Sequence, residues 1–280
     1  MKAEVITGDA AIKLRDIPDG SIDLTVTSPP YDNLRTYKGF TFDFESIAKE
    51  LFRVTKQGGV VVWVVGDATV NGSETGTSFR QALYFKEIGF NLHDTMIYVK
   101  ESVLPMFPNS QRYNHSFEYM FVLSKGKPAV FHPLRQPKTK NKKGADQITV
   151  KLGGRERVKR IRLGESDDKL SQNVWIYQTG FNLTTKDAYA YQHPAMFPEQ
   201  LAYDHIVSWS NEGDTILDPM RGSGTTGKMA VIAKRNFIGI EISEEYAEIA
   251  RARITRAQGI PCDIPKRTAP EREHPLLAGL

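Results

Sequence analysis

Two short runs of the chain carry residue types whose order could do chemistry. Thr27-Ser28-Pro29-Pro30-Tyr31 directly follows the β-branched run IDLTVT. Two prolines cannot donate to a sheet ladder, so the strand stops and the chain enters a rigid turn whose carbonyls can face a cleft. Ser28 adds an oxygen acceptor and Tyr31 a flat aromatic face. Acceptors for two N–H bonds, with a ring to stack on, suit an amino group carried by an unstacked nucleobase. A Pro-Pro turn with a core tyrosine accounts for the same residues without chemistry. The second run is Asp218-Pro219-Met220-Arg221-Gly222-Ser223-Gly224-Thr225-Thr226, directly after DTIL. A strand, a glycine-rich turn and a helix let backbone approach a ligand closely. Glu241, at the end of the following strand NFIGI, stands where a ribose diol would be held. This unit predicts nucleoside binding without choosing among adenosine carriers. A rival reading exists, because Gly222 to Lys228 spells G-x-x-x-x-G-K, most of a phosphate-binding loop, although Met229 stands where Ser or Thr should meet magnesium.

The elements that must position these turns are legible from periodicity. EVIT reads as a strand and AAIKLRDI as a helix opened by Asp9. FESIAKELFRVTK is amphipathic, with Phe44, Ile47, Leu51 and Val54 on one face, and Gly58-Gly59 is expected to end that helix before the strand VVVWVVGD. From about residue 190 the alternation resumes: PEQLAYDHIVSWS as helix, DTILD as strand, GTTGKMAVIAKR as helix, NFIGIEI as strand and SEEYAEIARARITRAQG as helix. Alternating strands and helices imply an α/β fold, a mainly parallel sheet covered by helices on both faces, with ligands at the carboxyl ends of its strands. Residues 101 to 189 break the pattern and read as an insertion over that edge.

Composition bounds the rest. The chain has 280 residues, 40% hydrophobic and 25% charged, ordinary for a soluble protein with one large domain and an insertion. The longest apolar run, Val60 to Val65, is a buried strand and far too short to span a bilayer. The start, MKAEVITGDA, has no signal-peptide core, and a single cysteine excludes an intrachain disulfide and a cysteine-cluster metal site. A cytoplasmic protein with no membrane segment and no bound metal is expected. Net charge is only +4, but Arg135 to Arg162 holds eleven Lys or Arg against Asp146 and Glu156. That local excess suits a polyphosphate partner, and equally a solvated basic loop.

Taken together, S-P-P-Y early and D-P-x-x-G-S-G-T-T late resemble the amino-methyltransferases that act on DNA in restriction–modification systems and phages. The order, catalytic turn before cofactor loop, is similar to the β group of that family. Three further segments match: Gly8-Asp9-Ala10 before a helix, His193-Pro194-Ala195-Met196-Phe197-Pro198, and Gly239-Ile240-Glu241-Ile242-Ser243 followed by Tyr246. The resemblance covers about residues 3 to 124 and 190 to 257, and its five segments occur in one order. It departs at Met220, where many relatives carry an aromatic residue.

The resemblance implies a Rossmann-like, mixed but mainly parallel sheet. Residues 1–100 and 190–260 would form the catalytic domain, 101–189 a target-recognition and DNA-binding region, and 261–280 a C-terminal tail. It implies S-adenosylmethionine as cofactor, held by Asp9, Ala10, His193, Pro194, Phe197, Pro198, Asp218, Pro219, Met220, Gly222, Ser223, Gly224, Thr225, Thr226, Glu241 and Ile242. Ser28, Pro29, Pro30 and Tyr31 would be catalytic, hydrogen-bonding the target amino group and stacking on its base. Carbon methylation of cytosine would need a cysteine nucleophile; Cys262 follows Pro261 but lies in the tail, which leaves an amino nitrogen. In the family S-P-P-Y goes more often with cytosine N4 and D-P-P-Y with adenine N6, so cytosine N4 in double-stranded DNA is expected, with adenine N6 or an RNA amino group as alternatives. DNA contacts are expected from Arg35, in the loop after the catalytic turn, and phosphate contacts from Lys138, Lys140, Lys142, Lys143, Arg155, Arg157, Lys159, Arg160 and Arg162. A homodimer and a cognate restriction endonuclease are the partners the resemblance admits besides DNA.

Overall fold

The computed structural model describes residues 1–30, 42–101, 111–137, 147–148, 161–162, 168–193 and 196–260. Two compact units are present, one of Met1–His132 with Asn173–Leu280, the other of Pro133–Gln172.

The larger unit is built on one eight-stranded sheet. In chain order its strands are β1 (Ala3–Thr7), β2 (Ile22–Thr27), β3 (Thr55–Val65), β4 (Asn91–Lys100), β5 (Phe117–Ser124), β6 (Val174–Tyr177), β7 (Thr215–Asp218) and β8 (Asn236–Glu241). Across the sheet they run β1-β8-β7-β2-β3-β5-β4-β6. All neighbours are parallel except β5, which is antiparallel to both β3 and β4. The expected mixed, mainly parallel α/β sheet is therefore the architecture.

From Val60 to Val65, β3 is buried on both faces, which is why its sequence is apolar without alternation. Val60, Val62 and Val64 enter one core with Leu24, Val26, Leu201, Ile206, Trp209, Met229 and Ile254. Val61, Trp63 and Val65 enter the other with Leu14, Ile47, Leu51, Val54, Phe85 and Leu217. Helices α4 (Glu199–Trp209), α5 (Thr225–Ile232) and α6 (Glu244–Ala257) cover the first face. The other is covered by α1 (Ala10–Lys13), α2 (Phe44–Val54) and α3 (Thr77–Glu87). Helix α2 starts where Asp43 accepts from the Ser46 amide at 3.2 Å. It fully buries Ile47, Leu51 and Val54, which stabilises the fold by about 1.5–3 kcal/mol per side chain.

Helix α2 ends earlier than its apolar pattern suggests. Thr55 turns to extended backbone and pairs with Ile22, so Thr55–Val65 is one strand, and Gly58-Gly59 sits inside it rather than at a helix terminus. The register shifts between Ile22 and Leu24 opposite this point. Gly58 has φ +83°, and a Cβ on Gly59 would lie 2.8 Å from Thr55 Cγ2, so the bulge requires both glycines.

Within the 101–189 stretch, Phe117–Ser124 and Val174–Tyr177 are strands of the main sheet. The smaller unit holds two short antiparallel pairs, Arg135–Pro137 with Asp168–Leu170 and Gln147–Ile148 with Ile161–Arg162. Among the described residues no helix is long and apolar enough to cross a membrane.

Candidate functional site

Parallel strands that share a direction also share a carboxyl edge, and the chain leaves β7 toward β8 on one side but β2 toward β3 on the other. The sheet order therefore reverses between β7 and β2, where a crevice opens between the two loops. A cleft of about 450 Å³ lies on this edge. Ser28 and Pro29 after β2, Gly66 and Asp67 after β3, Tyr98 and Lys100 of β4, and His115 and Glu118 at the start of β5 line one wall. Met220, Arg221, Gly222, Ser223 and Thr225 after β7, with Thr179, Gly180, Thr184, His193, Met196 and Phe197, line the other.

The two sequence motifs meet at the reversal. Thr27 Oγ1 donates to Asp218 Oδ1 at 2.8 Å, and Thr226 Oγ1 donates to the Val26 carbonyl at 3.0 Å. Asp218 also accepts from the Met220 amide at 3.2 Å, which folds the loop back over the strand end. Burial raises the Asp218 carboxyl to about 6, against the lowering effect of the Thr27 and Met220 bonds. On β8, Glu241 Oε2 accepts from the Gly222 amide at 2.9 Å and Oε1 from Ser243 at 3.0 Å. Its carboxyl is likewise raised, chiefly by burial. β1 pairs beside β8 in the register Thr7 to Glu241, and the Gly8 amide donates to the Glu241 carbonyl at 2.8 Å. That brings the Gly8-Asp9-Ala10 turn to the same edge, where Asp9 caps α1 by accepting from the Ala11 amide at 2.7 Å.

Glycine is required in the loop for two reasons. Gly222 has φ +49°, and a Cβ there would lie 2.7 Å from the His193 ring. Gly224 has φ +81°, and a Cβ would meet the Ala250 Cβ at 2.5 Å, where α6 passes. The His193 ring in turn packs edge-on against Tyr246, centroids 4.6 Å apart.

Behind the loop lies a buried charge network that the sequence did not signal. The fully buried Arg253 donates to the Ser223 carbonyl at 2.8 Å, to Ser223 Oγ at 3.0 Å and to Thr225 Oγ1 at 3.2 Å. It also pairs with Asp187 at 2.9 Å and Glu199 at 2.6 Å. Lys228 pairs with the same two carboxylates, 2.8 Å from each. Burial pushes the Asp187 carboxyl up, but the bonds from Lys228 and Arg253 outweigh it and hold the group below its ordinary value. The phosphate-loop reading fails here, because the lysine that should grip phosphate is committed to two acids beneath the loop.

Of the expected site residues, Ser28, Pro29, His193, Phe197, Met220, Gly222, Ser223 and Thr225 line the cleft. Pro198 caps α4, and Asp218, Thr226 and Glu241 act from beneath as ties between strand ends and loop. Asp9, Ala10, Pro30, Pro219, Gly224 and Ile242 flank these positions without lining the cleft. Tyr31, Arg35, Pro194, Lys138, Lys140, Lys142, Lys143, Arg155, Arg157, Lys159 and Arg160 lie outside the described residues, as does Cys262, and Arg162 is described only as strand backbone.

Eleven lining residues lie outside the expected set, Asp67, Tyr98, Lys100 and Arg221 among them. Asp67 follows a strand end just as Asp218 and Glu241 do, a signal that was available; it accepts from the Ser78 amide at 2.9 Å and so caps α3. Tyr98 and Lys100 sit on a strand whose mixed pattern NLHDTMIYVK hid it, and Lys100 pairs with Glu118 across β4 and β5 at 2.6 Å. Arg221 lies within the second motif itself.

Comparison with known proteins agrees with this geometry. The family model of N6/N4 methyltransferases, a DNA methylase family, matches residues 22–252. The orphan methyltransferase M.BamHII of Bacillus amyloliquefaciens is 55% identical over 243 residues, covering 85% of this chain and 91% of that protein. Among solved structures, the PvuII DNA methyltransferase (cytosine-N4-specific) superposes with a TM-score of 0.65 at 20% identity, over 90% of this chain and 87% of that one. The complex of M1.HpyAVI with S-adenosylmethionine does so with a TM-score of 0.56 at 22% identity, over 89% and 98%. At these identities the structural likeness is one of fold.

Proposed function

The chain belongs to the N6/N4 family of DNA methylases, and from that premise we propose that it transfers the methyl group of S-adenosylmethionine to the N4 amino group of a cytosine flipped out of double-stranded DNA. The observation that carries the reading is the Thr27–Asp218 hydrogen bond of 2.8 Å, which ties the acceptor turn to the glycine loop at the reversal of the sheet.

The residues present fit the cofactor. Met196, Phe197 and Met220 supply apolar wall, Ser223 and Thr225 hydroxyls, and Gly222 a closely approached backbone. Glu241 uses one lone pair of each oxygen on the loop and keeps others for ribose hydroxyls. When bound, S-adenosylmethionine supplies a sulfonium-borne methyl that an amine attacks directly. The chain's part is to position and to bias. The Ser28 side chain and the Pro29 carbonyl accept from the target amino group and turn its lone pair toward the cofactor wall. Pro30 stiffens the turn, and Tyr31 stacks on the extruded base. Cytosine is favoured by Ser28 at the head of the turn, and the PvuII enzyme, which shares the fold, is cytosine-N4-specific. The basic run from Lys138 to Arg162 supplies phosphate contacts, which makes DNA affinity fall steeply with salt.

The test is chemical. Plasmid DNA incubated with the enzyme and S-adenosylmethionine is digested to nucleosides and separated by mass. N4-methylcytosine is expected. N6-methyladenine would replace the base assignment while keeping the enzyme class, and methyl found only in RNA would replace the polymer.

A further inference from the structure

Arg221 poses a problem that the reaction as described does not solve. The residue is 4% exposed, and none of Nε, Nη1 and Nη2 has a hydrogen-bond partner among the described residues. Burial lowers its guanidinium to about 10, so it is still charged at neutral pH. The carboxylates within electrostatic reach are already engaged: Glu241 by the Gly222 and Ser243 amides, Asp218 by Thr27 and Met220, and Glu244 by Arg251. Arg251 itself repels it. Yet the position is shaped for this side chain. Gly239 on β8 leaves room for its stem, since a Cβ there would lie 2.6 Å from Arg221 Cδ. A buried cation without hydrogen bonds is costly, and one kept in a ligand cleft calls for an anion that arrives with the ligand.

We propose that Arg221 is the anchor for the α-carboxylate of the amino-acid arm of the cofactor. Arg221 stands in the cofactor wall, between Met220 and Gly222, and the only anionic group of S-adenosylmethionine is that carboxylate. A guanidinium matches its two oxygens with paired N–H donors. Anchoring one end of the cofactor here while Glu241 holds the ribose fixes the sulfur between two points, which is what in-line transfer requires.

This inference rests on the S-adenosylmethionine reading, and the experiment separates the two. The full-length chain is titrated calorimetrically with S-adenosylhomocysteine and with the same nucleoside lacking its α-carboxylate. Wild type is expected to prefer the carboxylated ligand by roughly 100-fold, the scale of a buried charge pair. Arg221→Met is expected to bind both alike, with the affinity for the shortened ligand unchanged. Because methionine removes an unpaired buried charge, the ligand-free variant should melt no lower than wild type. Retained discrimination in Arg221→Met would overturn the proposal. So would equal weakening of both ligands with a lowered melting temperature, or failure of the variant to fold, each of which marks a structural residue. Wild type that binds neither nucleoside would overturn the cofactor reading as well.

Discussion

On the cofactor wall the paired charges lie beneath the loop, while Arg221 faces the cleft without a hydrogen-bond partner among the described residues, and on the acceptor wall an ion pair lies at the cleft itself. Arg253, with a fully buried side chain, grips Ser223 and Thr225 from behind, and its two carboxylate partners are shared with Lys228. Lys100 and Glu118 pair across the acceptor wall with side chains 27% and 12% exposed, both lining the cleft. The difference teaches a division of labour. A wall that would meet one invariant nucleoside can have its buttress satisfied by protein before the ligand arrives, with Arg221 left open for the ligand itself. A wall that would meet an extruded base carries an ion pair at the cleft, where partners can be exchanged.

The contrast can be broken most forcefully at Arg253. Arg253→Met leaves Asp187 and Glu199 with Lys228 as their remaining cation in that network, and should destabilise the fold by about 3–5 kcal/mol. Urea melts would register the loss, and calorimetry should show weaker nucleoside binding; an unchanged melt would mean that the network does not buttress the loop. On the other wall, Tyr31→Ala should cut turnover about 10- to 100-fold, the scale of one base–aromatic stack, while S-adenosylhomocysteine affinity stays at the wild-type value. Loss of that affinity instead would place Tyr31 on the cofactor side. Thr27→Val removes the tie between the walls and leaves Asp218 short of a donor, at a cost of about 1–3 kcal/mol; a variant as stable as wild type would show the tie to be idle. The smallest effect is a slope. Because burial raises Asp218 to about 6 from 3.8, the native state takes up its proton before the unfolded chain does. The contribution of this group to folding stability therefore rises as pH falls through that window and declines as pH climbs. Asp218→Asn should flatten that part of the stability–pH curve, measured by urea melts from pH 4 to about 7. A curve identical to wild type would mean that Asp218 titrates no differently in the fold.

What could be read in the sequence follows the same division. The cofactor wall was legible because its chemistry is local: strand, glycine turn, helix and terminal acid lie within twenty-odd residues of one another. Its buttress was not, since Arg253, Lys228, Asp187 and Glu199 come from four separate segments and look individually like surface charges. Helix α3 escaped notice because it buries Ser78 and Gln81 while exposing Phe79 and Leu83. Gln81 is buried to accept from Trp63 Nε1 at 2.8 Å, a tertiary reason that no periodicity reveals. The strand β4 alternates only weakly, and β6 is a four-residue strand inside a stretch that reads as irregular.

The pairing of β1 with β8 joins segments far apart in sequence, with the Lys2 amide donating to Asn236 Oδ1 at 2.9 Å across 234 positions. During synthesis β1 leaves the ribosome more than 200 residues before β8, and a pairing so remote in sequence closes late. A polypeptide interrupted before residue 215 owns the Ser-Pro-Pro turn but lacks β7, the glycine loop and Glu241. Partial translation products should thus be chemically silent toward nucleobases, so methylation is reserved for chains long enough to carry both turns.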